Sequence, residues 1–171
     1  MLIISAVGAD RPGMAHAVAR ILFDCGCNIE DTTMTRLSGQ FAMILAVESP
    51  DMTAQELETR LSPLRHALGL HVDVAAAGDA PEAQNEAPRY ILTAYGAEKT
   101  GLLARLTGVL AAQGANVTDV QTRVASAGSV YVMLLELELP ANVDAESLEA
   151  ALKAELHDLQ VSLRAMEEDT L

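Results

Sequence analysis

Ile3-Ile4-Ser5-Ala6-Val7-Gly8-Ala9-Asp10-Arg11-Pro12-Gly13-Met14 returns later in the chain as Ile91-Leu92-Thr93-Ala94-Tyr95-Gly96-Ala97-Glu98-Lys99-Thr100-Gly101-Leu102. Gly26-Cys27-Asn28-Ile29-Glu30-Asp31 matches Gly114-Ala115-Asn116-Val117-Thr118-Asp119 in the same register. The register then slips slightly at a turn, and Pro50 corresponds to Pro140. Identities fall on Gly, Asn and Asp, while apolar positions exchange among Ile, Val, Leu and Met. Turn residues and core residues sharing one register over about fifty positions mark a duplicated domain.

Between the copies, Ala75-Ala76-Ala77-Gly78-Asp79-Ala80-Pro81-Glu82-Ala83-Gln84-Asn85-Glu86-Ala87-Pro88 lacks apolar periodicity and carries acids without a basic residue. That composition reads as an exposed linker. The expected organisation is a first domain over 1–76, a linker over 77–88, a second domain over 89–166 and an acidic tail over 167–171.

Within each copy the apolar period alternates between two and 3.6. Leu2–Val7 reads as a buried strand stopped by Gly8. Met14, Ala17, Val18, Ile21, Leu22 and Cys25 recur at helical spacing, and Gly26 supplies the stop. Asn28–Leu37 is polar and Thr-rich, as an edge strand is. Phe41–Val47 is apolar enough for a central strand. Leu57, Leu61 and Leu64 mark a second helix, which Pro63 must kink or restart. Leu70–Val74 closes the copy. The second copy repeats the order with Tyr90–Tyr95, Leu102–Leu110, Val117–Val124, Val130–Leu139, Leu148–Leu156 and Gln160–Met166. Strand-helix-strand-strand-helix-strand, with right-handed crossovers, predicts an antiparallel four-stranded sheet carrying both helices on one face. The fold class is α+β, ferredoxin-like, twice.

Composition narrows the function. Half of the 171 residues are hydrophobic, so each copy can form a core, whereas aromatics are 3% and Trp is absent. Stacking platforms for single-stranded nucleic acid are therefore not expected. A formal charge of -13 repels phosphate backbones, so direct nucleic-acid binding is not expected either. No apolar run approaches the roughly 18 residues of a membrane span. The first residues lack the basic flank of a signal peptide, and the expected location is the cytoplasm.

No catalytic set emerges. His16, His66, His71 and His157 do not correspond between copies. Gly8-x-x-x-x-Gly13 and Gly96-x-x-x-x-Gly101 begin like a phosphate loop, but Met14-Ala15 and Leu102-Leu103 stand where Lys and Ser/Thr belong. Cys25 and Cys27 lack further zinc ligands and read as small buried hydrophobes in a reducing compartment. Arg36 and Arg123 read as interface or surface residues. Neither a metal nor a cofactor is expected.

Binding is the alternative to catalysis. The turn Gly8–Met14 places Pro12 well for a first helical position, and Gly13 leaves room for a backbone or a ligand. A helix end of this kind accepts a carboxylate, with roughly 0.3–1 kcal/mol from its dipole. The plainer reading is that Gly13 and Gly101 only allow tight helix–sheet packing. Asn28 and Asn116 enter the polar strand with a carbonyl for an ammonium and an amide for a carboxylate. Together, turn and Asn can bracket a small zwitterion.

These residues resemble the ACT domain. The resemblance rests on Asp10-Arg11-Pro12-Gly13-Met14 with Gly26-Cys27-Asn28-Ile29-Glu30-Asp31, and on Glu98-Lys99-Thr100-Gly101-Leu102 with Gly114-Ala115-Asn116-Val117-Thr118-Asp119. It covers nearly the whole chain, and it implies ligand-controlled regulation of amino-acid metabolism without enzymatic activity. ACT domains bind an amino acid at a domain–domain interface, through the first turn and the start of the second strand. Carried over, the site residues are Asp10, Arg11, Pro12, Gly13, Met14, Asn28 and Ile29, and then Glu98, Lys99, Thr100, Gly101, Leu102, Asn116 and Val117. Asp10 and Glu98 would order the turn or meet the ammonium. Pro12 against Thr100, and Glu30 against Thr118, make the two sites unequal. The implied partners are a small amino acid, glycine first, and either a transcription factor or a metabolic enzyme that the chain serves as a regulatory subunit. The polar edge strands, matched lengths and a linker long enough to cross one domain add the expectation that the copies pack side by side, and the apolar Phe41–Val47 that the chain forms a homo-oligomer.

Overall fold

Leu2, Ile4 and Ala6 are buried along the first strand, while Ile3, Ser5 and Val7 alternate with them on the other face. That period of two recurs through the computed structural model, which describes residues 1–49, 51–78, 87–97, 100–125 and 130–166. Two compact units result, Met1–Glu82 and Ala83–Leu171. The expected linker lies largely outside the described residues, as do Glu98, Lys99 and the expected tail.

The first unit runs β1 (Leu2–Ala9), α1 (Met14–Asp24), β2 (Asn28–Leu37), β3 (Gln40–Glu48), α2 (Ala54–Leu61), α3 (Pro63–Leu68) and β4 (His71–Ala76). The second runs β5 (Arg89–Gly96), α4 (Leu102–Ala112), β6 (Asn116–Ala125), β7 (Val130–Glu138), α5 (Ala145–Glu155) and β8 (Leu159–Ala165). Each sheet is antiparallel, in the orders β2-β3-β1-β4 and β6-β7-β5-β8. This is the ferredoxin-like α+β fold, present twice. The strands expected to be central are central, and polar β2 is an edge exposed over all ten residues.

Each unit has its own dry core. Ile4, Leu22, Leu45, Leu57, Leu61 and Leu70 are fully buried in the first, and Leu92, Leu106, Leu110, Met133, Leu135 and Leu152 in the second. Burying one such side chain contributes roughly 1.5–3 kcal/mol. Ile44 projects from the opposite face of the first sheet and stays half exposed.

Local chemistry sets the helix boundaries. Thr53 and Glu56 form a reciprocal capping box at the start of α2. Pro63 opens α3 immediately after Ser62, which is the restart expected from a residue without an N–H. α1 ends in a Schellman turn: Gly26 has φ 71°, its N–H donates to the Phe23 carbonyl, and the Cys27 N–H donates to that of Leu22. Gly114 ends α4 in the same way. Pro12 departs from expectation. The cap is Gly13 and the first helical residue is Met14, so Pro12 stiffens the turn ahead of the helix.

Candidate functional site

β1 leads into the turn 10–13, and Gly13 closes it at φ 91°, ψ −4° as the N-cap of α1. Gly101 closes the corresponding turn before α4 at φ 85°, ψ 5°. An L side chain is disfavoured in this region by roughly 1–2 kcal/mol, so the torsion itself calls for glycine. A Cβ built on either residue would meet nothing within 4 Å. Tight helix–sheet packing is therefore not their role. The close approaches are at Gly8 and Gly96, where a Cβ would stand 2.8 Å from the Gly69 carbonyl oxygen on the turn ahead of β4 and 2.5 Å from Leu159 Cδ2 at the start of β8. The only sequence trace of this pair is the first glycine of each Gly-x-x-x-x-Gly, a spacing that also suits a phosphate loop.

Neither α1 nor α4 has a side-chain cap or an acid in its first turn. By contrast, Thr53 caps α2 and Asp144 caps α5, accepting from the Ser147 N–H at 2.9 Å. The helices that follow the glycine turns thus present open N–H donors and the positive end of the dipole. Met14 and Leu102 belong to the cores, 1% and 2% exposed, so only their backbone can face a ligand. Arg11, Pro12 and Thr100 are exposed. Asp10 is already engaged: its N–H donates to the Gly39 carbonyl at 2.9 Å, and its carboxylate meets Arg36 Nη1 at 3.3 Å. It ties the turn to the β2–β3 hairpin.

Asn28 and Asn116 open β2 and β6, and both are exposed. Asn28 Nδ2 donates to the Glu30 carboxylate, and Asn116 Nδ2 donates to Glu138 Oε2 at 3.1 Å. One N–H of each amide is taken by a carboxylate, and the carbonyl Oδ1 is an open acceptor. The electrostatics of this end are negative, unlike those of the glycine turn. A β-bulge follows each Asn, between Ile29 and Asp31 and between Val117 and Asp119. Ile29 is 37% exposed and Val117 packs partly against its core.

The strand register separates turn from Asn. Ile29 pairs with Val47 and Leu2 pairs with Val47, whereas Ala9 pairs with Gln40 at the other end of the sheet. Seven steps at about 3.3 Å put roughly 23 Å between the two ends. The second sheet repeats this, with Val117 opposite Leu137 and Gly96 opposite Tyr131. Within one unit, then, turn and Asn cannot both touch a molecule the size of an amino acid. That corrects the expectation that a copy's own pair brackets one ligand.

Open clefts lie elsewhere. One of about 800 Å³ follows the start of α2, with Thr53, Glu56 and Arg60 in its wall, and one of about 430 Å³ adjoins it at Cys25. Cys25 and Cys27 are half-buried beside the first core rather than within it. Among the described residues no group of three or more His, Cys, Asp or Glu is placed to hold a metal ion, and no helix is long and apolar enough to cross a membrane.

A family model described as the ACT domain matches residues 1–75 and again residues 89–166. The glycine cleavage system transcriptional repressor of Escherichia coli (strain K12) is 29% identical over 158 residues, which are 90% of this chain and 82% of the relative. The protein of the same name from Shigella flexneri matches at the same identity and coverage. Among solved structures, an unknown protein from Galdieria sulphuraria superposes with a TM-score of 0.76 at 24% identity, over 97% of this chain and 98% of that one.

Proposed function

The chain belongs to the ACT domain family, twice over, and on that premise we propose that it is a non-enzymatic regulator that binds a small amino acid and signals its occupancy to a protein partner. One observation carries the reading. Both copies keep an uncapped, glycine-led helix end, and both begin the second strand with an Asn whose carbonyl stays open beside a carboxylate. The first suits a carboxylate and the second an ammonium, which are the two charges of an amino acid.

Because these features stand at opposite ends of a unit, one ligand does not take both contacts from the same unit. Ligand size limits the affinity. Glycine has about five heavy atoms, and at most about 1.5 kcal/mol each gives 7–8 kcal/mol, or micromolar at best. Occupancy then follows concentration in the range where a metabolite sensor works.

The bacterial repressors support transcriptional control of glycine cleavage as the output. The charge of -13 supports reaching DNA through a partner transcription factor rather than directly. Titration calorimetry with the twenty amino acids at millimolar concentration is the test. Heat with a small amino acid is expected, and it should vanish in Asn28→Ala with Asn116→Ala while circular dichroism is unchanged. Silence across the panel would leave a module that binds proteins only. Affinity capture with the ligand present identifies the output: a DNA-binding factor supports this reading, and a metabolic enzyme would make the chain a feedback subunit.

A further inference from the structure

The turn between α1 and β2 carries two thiols that the fold does not need. Gln113, Gly114 and Ala115 take the places of Cys25, Gly26 and Cys27 in the second unit. The backbone there is the same. Cys25 has φ −87°, ψ 0° and Gln113 has φ −94°, ψ 0°, while Gly26 and Gly114 have φ 71° and 72°. The N–H of Cys27 donates to the Leu22 carbonyl at 3.0 Å, and that of Ala115 donates to Leu110 at 3.0 Å. A glutamine and an alanine thus build this Schellman turn as well as two cysteines do.

From this geometry we propose that Cys25 and Cys27 are an oxidisable dithiol, which a low-molecular-weight disulfide such as glutathione disulfide converts to an internal disulfide. Gly26, at φ 71°, sits near the mirror image of a helical φ. A helix radius of about 2.3 Å and a rise of about 1.5 Å per residue place the flanking Cα atoms about 5.4 Å apart. Disulfides span roughly 4.4–6.8 Å between Cα atoms. Both side chains pack against the same core, so they lie on one side of the turn.

The site is also reachable. Cys25 borders the 430 Å³ cleft with Ile21, Asp24, Met52 and Arg60. Asp24 is paired with Arg20 at 3.2 Å, whereas Arg60 makes no ion pair among the described residues and can meet a carboxylate of the incoming disulfide. Burial pushes the Cys25 thiol above its ordinary value near 9.0, the neighbouring Cys27 adds to this, and Arg60 opposes it. A raised value lowers the thiolate fraction, so exchange at Cys25 speeds up as pH rises.

The exchange balances. One cysteine thiolate attacks a sulfur of R–S–S–R, forming a mixed disulfide and releasing RS⁻, which takes up the proton lost by that cysteine. The second cysteine then attacks the protein sulfur, closes the ring and releases the second RSH. The protein loses two electrons and two protons, and the small disulfide gains them. A ring spanning one intervening residue is strained and therefore readily reduced, which places it with labile rather than structural disulfides. Closing it fixes the turn from which Asn28 and β2 depart.

The test is to hold the full, folded chain in buffers of varied reduced and oxidised glutathione, quench with acid, alkylate and weigh the product. Wild type should convert from two alkylated thiols to none, with the loss of two hydrogens, no added glutathione and no dimer. Cys25→Gln and Cys27→Ala, each copying the second unit, should retain the fold and stop at one bound glutathione per chain. A wild type that stays dithiol at every ratio, accumulates mixed disulfide without ring closure, or cross-links between chains would overturn the proposal.

Discussion

At Gly13 a torsion sets the cost of substitution, and at Gly8 a neighbouring atom does. Gly13→Ala should destabilise the first unit by roughly 1–2 kcal/mol through its left-handed φ alone, since a Cβ there meets open space. Gly13→Asn should cost less, because Asn tolerates that region. Gly8→Ala should cost roughly 1–3 kcal/mol by overpacking against the fixed Gly69 carbonyl oxygen, and Gly8→Asn should be worse still. Urea denaturation of the four variants checks the order, and the reversal of Ala and Asn between sites separates torsion from contact. The sequence marks both glycines as special, yet which of them faces a close neighbour depends on Gly69, 61 residues from Gly8 along the chain. That long-range approach has no local signature.

The elements follow from local rules that a sequence carries openly. Periods of two and 3.6, Gly26 and Gly114 as helix stops, and Pro63 as a restart all appear in the structure where residue chemistry places them. The capping box at α2 makes a further prediction. Hydrogen bonds from the Thr53 backbone N–H, and then from its hydroxyl, hold the Glu56 carboxyl below its ordinary value near 4.5. A lowered carboxylate stabilises the folded state above its unfolded value, and the contribution fades as pH falls through the lowered one. Thr53→Ala should therefore lower stability at neutral pH, with the gap from wild type narrowing in acid. Thermal melts of both proteins between neutral pH and about pH 3 would show this; a constant gap would contradict it. The separation of Asn28 from Gly13 was hidden for a different reason. Both are local features, but their distance depends on strand direction, and strand direction is set only when β1, β2 and β3 pair.

For the whole molecule, 24 acidic and 11 basic side chains predict that the purified chain will not retard duplex DNA in a gel at about 0.1 M salt. A shift by the chain alone would contradict transcriptional control through a partner. Duplication is the organising fact at this scale, legible because both copies kept their turn residues. The copies are not identical, however, and the Asp10–Arg36 pair shows where they diverged. Arg36 sits opposite Phe41 in the first sheet, and Val124 sits opposite the corresponding Tyr131 in the second. Val124 cannot hold a carboxylate as Arg36 does. In a symmetric dimer of single modules every inherited change would appear twice, and both sites would drift together. A fused tandem exposes each change once, so selection can tune one turn while its sister keeps the ancestral setting.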